Sequence, residues 1–362
     1  MDIDLVSRRK FIAGMSASAL AAVYPPSFLR RFEEHVSSDK ELPLVKPKAL
    51  KSGATIGIIS PASNVYEHEE IVVGREIIES LGFKTVLGKN AALQYGYLAG
   101  TDEQRAEDMN EMFRRDDIDG IICLRGGWGS MRILPMLDYE MMRKNPKVLM
   151  GYSDITSLLL AVYKHAGIVT FHGPVVLSTY NDYTMEYLTK AVFTPQPVGL
   201  IKNPPLSPGE KVEQENRIIK LGKGTRSGAL VGGNLSLLVS TLGTPFEVDL
   251  KGKILFIEEV GEEPYRIDRM LTHLWLTGKL QELAGLVIGK LTDCVPNDYK
   301  PAFPQTLSVE EILRTRIEPL GIPAVYGLMI GHIKNKITVP LGIQATLDGD
   351  AGTLTINESA VM

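Results

Sequence analysis

The residues best suited to chemistry stand where apolar runs end. In LMGYSDITSLLL an apolar strand closes on a glycine, Ser153 follows, and a helix begins at once. A serine on so sharp a turn exposes its hydroxyl above the sheet while the next backbone amides face the same point, as in a nucleophile elbow. A competing reading is that Ser153 or Asp154 only caps the helix by accepting an amide hydrogen bond. GYSDI also lacks the second glycine of the GxSxG pattern.

A serine hydroxyl is a weak nucleophile near neutrality and needs a base. Of six histidines, His332 in MIGHIKN ends an apolar, glycine-bearing run, and His172 in TFHGP stands at another strand end. His273 falls within an amphipathic helix, and His35, His68 and His165 occupy charged or helix-end contexts where a solvated ring is the default. His332 is the better base, with a plain strand-end surface residue as its alternative. A third group must fix the imidazole tautomer and stabilise the imidazolium. ILFIEEVGEEP offers four carboxylates, and Glu258 is the first polar residue after the strand ILFI. Glu259 points to the opposite side if the strand continues, whereas Glu262 and Glu263 read as loop charges. The alternative for Glu258 is a solvated acidic strand end.

The elements around these residues repeat in an α/β order. ATIGIIS is dense enough in apolar residues for a buried parallel strand, a helix follows from about Glu69 to Leu81, and FKTVLG is the next strand. A charged helix from Asp102 to Arg115, the strand IDGIICLRGG, then PKVLMGYSD, ITSLLLAVYKHAG and IVTFHG continue the alternation. Such a pattern predicts a layered, mostly parallel sheet with helices on its faces. After DYTMEYLTKAVF the chain turns rich in proline and glycine, so a boundary falls between Lys190 and Thr225. A second mixed α/β unit follows, with KGKILFIEEV, LAGLVIGKL and IPAVYGLMIGHI as strands and RIDRMLTHLWLTGKLQEL as a helix. ITVPLGIQATLDGDAGTLTI reads as a terminal hairpin. The resulting division is a signal over 1–24, a leader over 25–50, an N-terminal α/β domain over 51–190, a linker over 191–224, a C-terminal domain over 225–350 and a tail over 351–362.

GGWG at Gly126 to Gly129 precedes the helix-like SMRILPML, and is either an anion cradle or a tight strand-to-helix turn. It matches neither GxGxxG nor GxxxxGK[ST], which weakens a nucleotide fold. A formal charge of −4 without a basic run removes the electrostatic case for nucleic acid. With 44% apolar and 23% charged residues, the 362-residue chain can bury sizeable cores, which excludes wholesale disorder. Cys123 and Cys294 lie far apart and outside any CxxC spacing; one disulfide is open, but Cys123 in its apolar run reads as a buried small hydrophobe.

Ser7, Arg8, Arg9, Lys10, Phe11 and Ile12 precede the mild apolar stretch AGMSASALAAVY, the order of an export signal. That stretch falls short of the roughly 20 residues needed to span a bilayer. SRRKFI resembles the twin-arginine motif, which implies the twin-arginine export machinery as a partner and a periplasmic or other extracytoplasmic location.

Taken together, RGGWGSMRIL, GYSDIT, GGNLSLL, ILFIEEVGEEPYRIDRMLTHLWLTG and GHIKNKITVPLG resemble, in order, the LD-carboxypeptidase family, which includes the microcin-resistance hydrolases. The resemblance runs from about Gly53 to Leu347. It implies an N-terminal α/β domain joined to a C-terminal one with the active site between them, common homodimers, and a metal-independent Ser153, Glu258, His332 triad needing no cofactor. It places oxyanion donors on the backbone of Asp154 and, less securely, Gly127. Arg125, His172, Asn234 and Arg266 lie in or beside the resembling motifs as substrate-binding candidates. Arg125 or Arg266 could pair with a substrate carboxylate or equally brace a domain interface. The implied reaction releases D-alanine from a muropeptide tetrapeptide. An amidase acting on a peptide antibiotic is the runner-up, and an exported two-lobed binding protein is the reading from a different class. The export signal departs from the family's wall-recycling enzymes, which commonly work in the cytoplasm.

Overall fold

The computed structural model describes residues 42–362 apart from 207, 208, 210 and 298. The expected export signal over 1–24 and the leader as far as residue 41 lie outside the described residues.

The first sheet is built from β1 (Thr55–Ile59), β2 (Lys84–Leu87), β3 (Gly120–Cys123), β4 (Val148–Gly151) and β5 (Phe171–His172), all parallel, in the order β5-β4-β3-β1-β2. Every residue of β3 and β4 is buried, which accounts for their unbroken apolar runs: helices cover both faces of a parallel sheet. Those helices are α1 (Glu69–Ser80), α2 (Asp102–Arg114), α3 (Tyr139–Lys144), α4 (Thr156–Ala166) and α5 (Asp182–Val192). Local chemistry starts and stops them. Thr101 and Gln104 form a reciprocal capping box at the start of α2, and Gly167 ends α4 at φ 62°, a left-handed position that glycine adopts without steric cost.

The second sheet combines β6 (Gly199–Leu200), β7 (Ile219–Gly222), β8 (Thr225–Asn234), β9 (Ile254–Val260), β10 (Gly285–Thr292) and β11 (Ala324–Tyr326) with the terminal hairpin β13 (Gln344–Asp348) and β14 (Thr353–Ile356). Its centre, β8-β9-β10-β11, is parallel, and its flanks are antiparallel. Helices α6 (Leu235–Ser240), α7 (Pro264–Leu276) and α8 (Val309–Ile317) accompany it. Three expectations change here. The segment 191–224 is not only a linker, because β6 and β7 supply edge strands. Residues 351–362, set apart above as a tail, carry β14, which pairs with β13, and Met362 exchanges backbone hydrogen bonds with Pro47 and Ala49. The SMRILPML stretch is a 3-10 turn with Pro135 inside it.

Residues 339–343 sew the two sheets together. Strand β12 (Val339–Pro340) runs antiparallel to β5, Leu341 donates to the Thr170 carbonyl, and Gly342 donates to Leu230 of β8 at 2.7 Å. At this seam His172 is buried, its ring 5.4 Å from that of Phe256 in β9 and 6.1 Å from that of Tyr152. Neither ring nitrogen has a hydrogen-bond partner among the described residues. Burial, and then the charges of His332 and Lys336, push its pKa from 6.5 down to about 3.

That depression has a sign that stability should report. Below pH 6.5 the unfolded chain takes up a proton that the folded chain refuses until about pH 3. Stability is therefore full above that window and falls as pH drops through it, by about 1.4 kcal/mol per unit from this group. His172→Phe keeps a ring in the seam and removes the titration. Between pH 6.5 and 5, urea unfolding should show the wild type losing about 2 kcal/mol more than the variant. Equal acid sensitivity in the two proteins would mean that the folded ring carries a proton.

Candidate active site

Ser153 stands between the end of β4 and α4 with φ 65°, a left-handed conformation that is uncommon for a side chain other than glycine. Two glycines make the turn possible. A Cβ on Gly126, at the end of the neighbouring β3 turn, would come 2.8 Å from Ser153 Cβ and 3.1 Å from its Oγ. A Cβ on Gly151 would come 2.8 Å from Ile155, which stands where GxSxG has its second glycine. Neither Ser153 nor Asp154 caps the helix with its side chain. Asp154 instead accepts from Ser130 N–H at 2.8 Å through its carboxylate, while its carbonyl accepts from Ser130 Oγ at 2.5 Å. The elbow and the glycine turn are thereby one braced unit.

The glycine turn is held from beneath as well. Gly127 has φ 113° and packs against Ser63, whose hydroxyl accepts from Trp128 N–H at 3.0 Å. Buried Arg105 donates to the carbonyls of Pro61 at 2.6 Å and Gly129 at 2.9 Å and pairs with Asp102. The GGWG run is thus a tight, clamped turn beside Ser153.

Glu258 and His332 come from the second sheet and meet directly. His332 Nδ1 donates to Glu258 Oε2 at 2.7 Å, with Glu258 fully buried and His332 partly open. That bond leaves Nε2 as the free basic nitrogen, given the tautomer in which Nδ1 carries the proton. Gly331, at φ 124°, lets the chain approach closely, since a Cβ there would lie 2.9 Å from Glu258 Oε2. The His332 ring stands edge-on to Tyr152, the residue preceding Ser153, with centroids 4.8 Å apart. No hydrogen bond joins Ser153 Oγ to His332 in this structure; what the two share is Tyr152, which packs on the imidazole and precedes the serine. Hydrogen bonds of this kind are often loose before substrate binds.

Glu259 does point away from Glu258, but it is no surface charge. It is buried, accepting from Asn234 Nδ2 at 2.8 Å, Ser236 N–H at 2.8 Å and Val260 N–H at 3.0 Å. Asn234 also caps α6 by accepting from Leu237 N–H, so its side chain is spent on bracing. Arg125 is half-buried and donates to the Asn64 carbonyl at 3.2 Å. Arg266 is held on the surface of α7 by Glu262 and Tyr265. His165, expected to be solvated, is half-buried against Tyr139 and Phe246. Cys123 and Cys294 are buried and free.

Sequence reasoning missed Lys336. It is 5% exposed, its Nζ lies 4.5 Å from the centre of the Tyr152 ring, and burial pushes its pKa down to about 8 against the opposing field of Glu258. Nothing in KNKIT separates it from a surface lysine.

Comparison with known proteins bears on this arrangement. A relative from Bacillus subtilis described as a probable murein peptide carboxypeptidase is 42% identical over 313 residues, covering 86% of this chain and 94% of its own. The murein tetrapeptide carboxypeptidase of Pseudomonas aeruginosa is 31% identical over 306 residues, covering 82% and 93%. A solved structure of MccF in complex with glutamyl sulfamoyl guanosine superposes with a TM-score of 0.78 at 26% identity, covering 88% of this chain and 99% of that one. The LD-carboxypeptidase N-terminal domain matches residues 56–173 and the C-terminal domain matches residues 227–347. With the two domains matched in order over more than half of its length, the chain belongs to the LD-carboxypeptidase family.

Proposed function

We propose that this protein is a serine carboxypeptidase that releases the terminal D-alanine of muropeptide tetrapeptides. The observation that carries the reading is the 2.7 Å bond between His332 and buried Glu258, set against the residue that precedes a strained serine. Ser153 Oγ attacks the scissile carbonyl carbon while His332 Nε2 takes its proton. Backbone amides at Asp154 and Gly127 stabilise the oxyanion. As the tetrahedral intermediate collapses, His332 gives the proton to the leaving amine, and D-alanine departs from an acyl-enzyme. Water then attacks the ester with the same histidine as base, freeing the tripeptide carboxylate and Ser153. Glu258 holds the tautomer and balances the imidazolium.

Purified variants on one defined tetrapeptide, with D-alanine release followed by mass, test these roles. Ser153→Ala and His332→Ala should each lower kcat by roughly four to six orders of magnitude with the fold intact. Glu258→Gln should cost about three to four. Glu259→Gln should act on stability rather than turnover, because its amide turns a donor toward N–H groups that need an acceptor. Release at near wild-type rate by Ser153→Ala would end the covalent mechanism, and equal losses in kcat from both glutamate changes would end the special role of Glu258. Activity should survive a chelator, since nucleophile, proton carrier and oxyanion donors are all protein groups.

A microcin-resistance amidase is the second reading, favoured by the fold match to MccF. It keeps the same triad and differs in the pocket. A tetrapeptide left uncleaved at high enzyme, alongside cleavage of an aminoacyl sulfamoyl nucleoside, would decide for it.

The site of action is proposed to lie outside the inner membrane, through twin-arginine export. Replacing Arg8 and Arg9 together with lysine keeps the charge and removes the paired guanidinium signal, so active precursor should accumulate in the cytoplasmic fraction. Unchanged fractionation would remove the twin-arginine route.

A further inference from the structure

We propose that Lys336 is the residue that recognises the free terminal carboxylate of the substrate, an assignment that rests on the carboxypeptidase reading of the site. An enzyme that removes one terminal residue must tell a free carboxylate from a continuing chain, and a fixed cation does this by a charge-assisted hydrogen bond. Chemistry also dictates where that cation must be. The amine that receives a proton from His332 and the terminal carboxylate belong to the same residue. The cation therefore sits within about one residue's length, roughly 4 Å, of the groups that His332 serves.

Lys336 shares with His332 the ring that adjoins Ser153. Its ammonium lies 4.5 Å from the centre of the Tyr152 ring, and the same ring stands 4.8 Å from His332 and directly precedes Ser153 in the chain. Position along the first sheet agrees. The Gly126–Gly127 turn approaches Ser153 from the β3 side of β4, whereas Lys336 enters just ahead of β12, which pairs with β5 on the opposite side. Oxyanion and leaving residue are thus served from opposite flanks of the serine. The backbone of Lys336 is anchored by donation from its N–H to Thr184 Oγ1 at 3.2 Å.

The ammonium is in no ion pair and no hydrogen bond among the described residues, although the residue is 5% exposed. Glu258 contributes its field, but one of its oxygens is already spent on His332 and the pair with Lys336 is not closed. A buried lysine with three free donors and only an aromatic face for company is expensive unless something anionic completes it. Burial pushes its pKa only to about 8, so the amine is mostly protonated at neutrality. The other cations fit less well. Arg125 stands on the β3 flank beside Gly126, and Arg266 is engaged at the surface with Glu262.

A cycle between enzyme and substrate tests this. Wild type and Lys336→Met are compared on two tetrapeptides that differ only in a terminal carboxylate or carboxamide. Wild-type kcat/KM should fall about ten- to a hundredfold from acid to amide, with most of the change in KM. Lys336→Met should bring the acid down to the level of the amide and leave the amide unchanged, so the preference disappears. Lys336→Arg should restore part of it. Should Lys336→Met be poorly folded by thermal melting, Lys336→Gln replaces it in the same cycle. Equal losses on both substrates, with the acid preference retained, would overturn the proposal and make the lysine a countercharge for Glu258. Calorimetric binding of both peptides to Ser153→Ala separates the two levels of argument: no binding of either peptide would remove the carboxypeptidase reading, and this proposal with it. Binding that favours the acid equally with and without the Lys336→Met change would remove only the proposal.

Discussion

A carboxylate with no exposed surface is one of the costliest groups a protein can hold, and Glu258 is such a group at the centre of the molecule. One of its oxygens is met by His332 Nδ1, and the other has no hydrogen-bond partner. The donor on His332 is therefore the direct partner that this buried side chain has. This constraint reaches outward. For the imidazole to arrive at 2.7 Å the chain must pass close to the Glu258 side chain, which is why residue 331 is a glycine with φ 124°. Once the imidazole is held by Nδ1, only its other nitrogen is available for chemistry.

Ser153 belongs to one sheet and the Glu258–His332 pair to another, so their relation depends on the seam between sheets rather than on either alone. Strand β12 and the residues after it hydrogen-bond first to β5 and then to β8. A second tie lies nearer the site: Thr156 Oγ1, at the start of the helix behind Ser153, accepts from Asn234 N–H at 3.0 Å, and Gly233 packs on the same threonine. Asn234 then binds Glu259, the neighbour of Glu258. A short path of packed, hydrogen-bonded groups thus runs from the helix behind Ser153 to the strand that carries Glu258. Glu259 and Asn234 fix the position of that strand.

What could be read from residues alone follows from how each element is buried. Strands covered on both faces, such as GIIC, VLMG and the ILFI start of β9, carry continuous apolar runs. Gly151 followed by Ser153 marked the elbow for the same kind of reason, because a sharp turn needs a residue without a side chain. Edge strands β6 and β7 escaped notice because they are two and four residues long and take their stability from pairing, not from pattern. IPAVYGLMIGHI looked like one strand, yet only Ala324–Tyr326 pairs, since Gly327 turns the chain at φ 108°. Glu259 and Lys336 were illegible because a charged residue in a sequence looks solvated; only the fold shows that each is closed off.

The strain at Ser153 shows how these parts depend on one another. A non-glycine residue in the left-handed region costs on the order of 1–3 kcal/mol and persists only where its surroundings over-determine it. Here the surroundings are Gly126 pressed against its Cβ, Ile155 filling the space above Gly151, and Asp154 tied twice to Ser130. Two of these three, Gly126 and Ser130, flank the glycine turn that faces the serine, and Arg105 clamps that turn from below through the Gly129 carbonyl. The residues that surround Ser153 are therefore also ones that brace the neighbouring glycine turn. Ser153 and the glycine turn are thus placed by one set of contacts, so a change that relaxes the turn displaces both together. It follows that the placement of Ser153 rests as much on Ser130 and Arg105 as on the residues next to it in the chain.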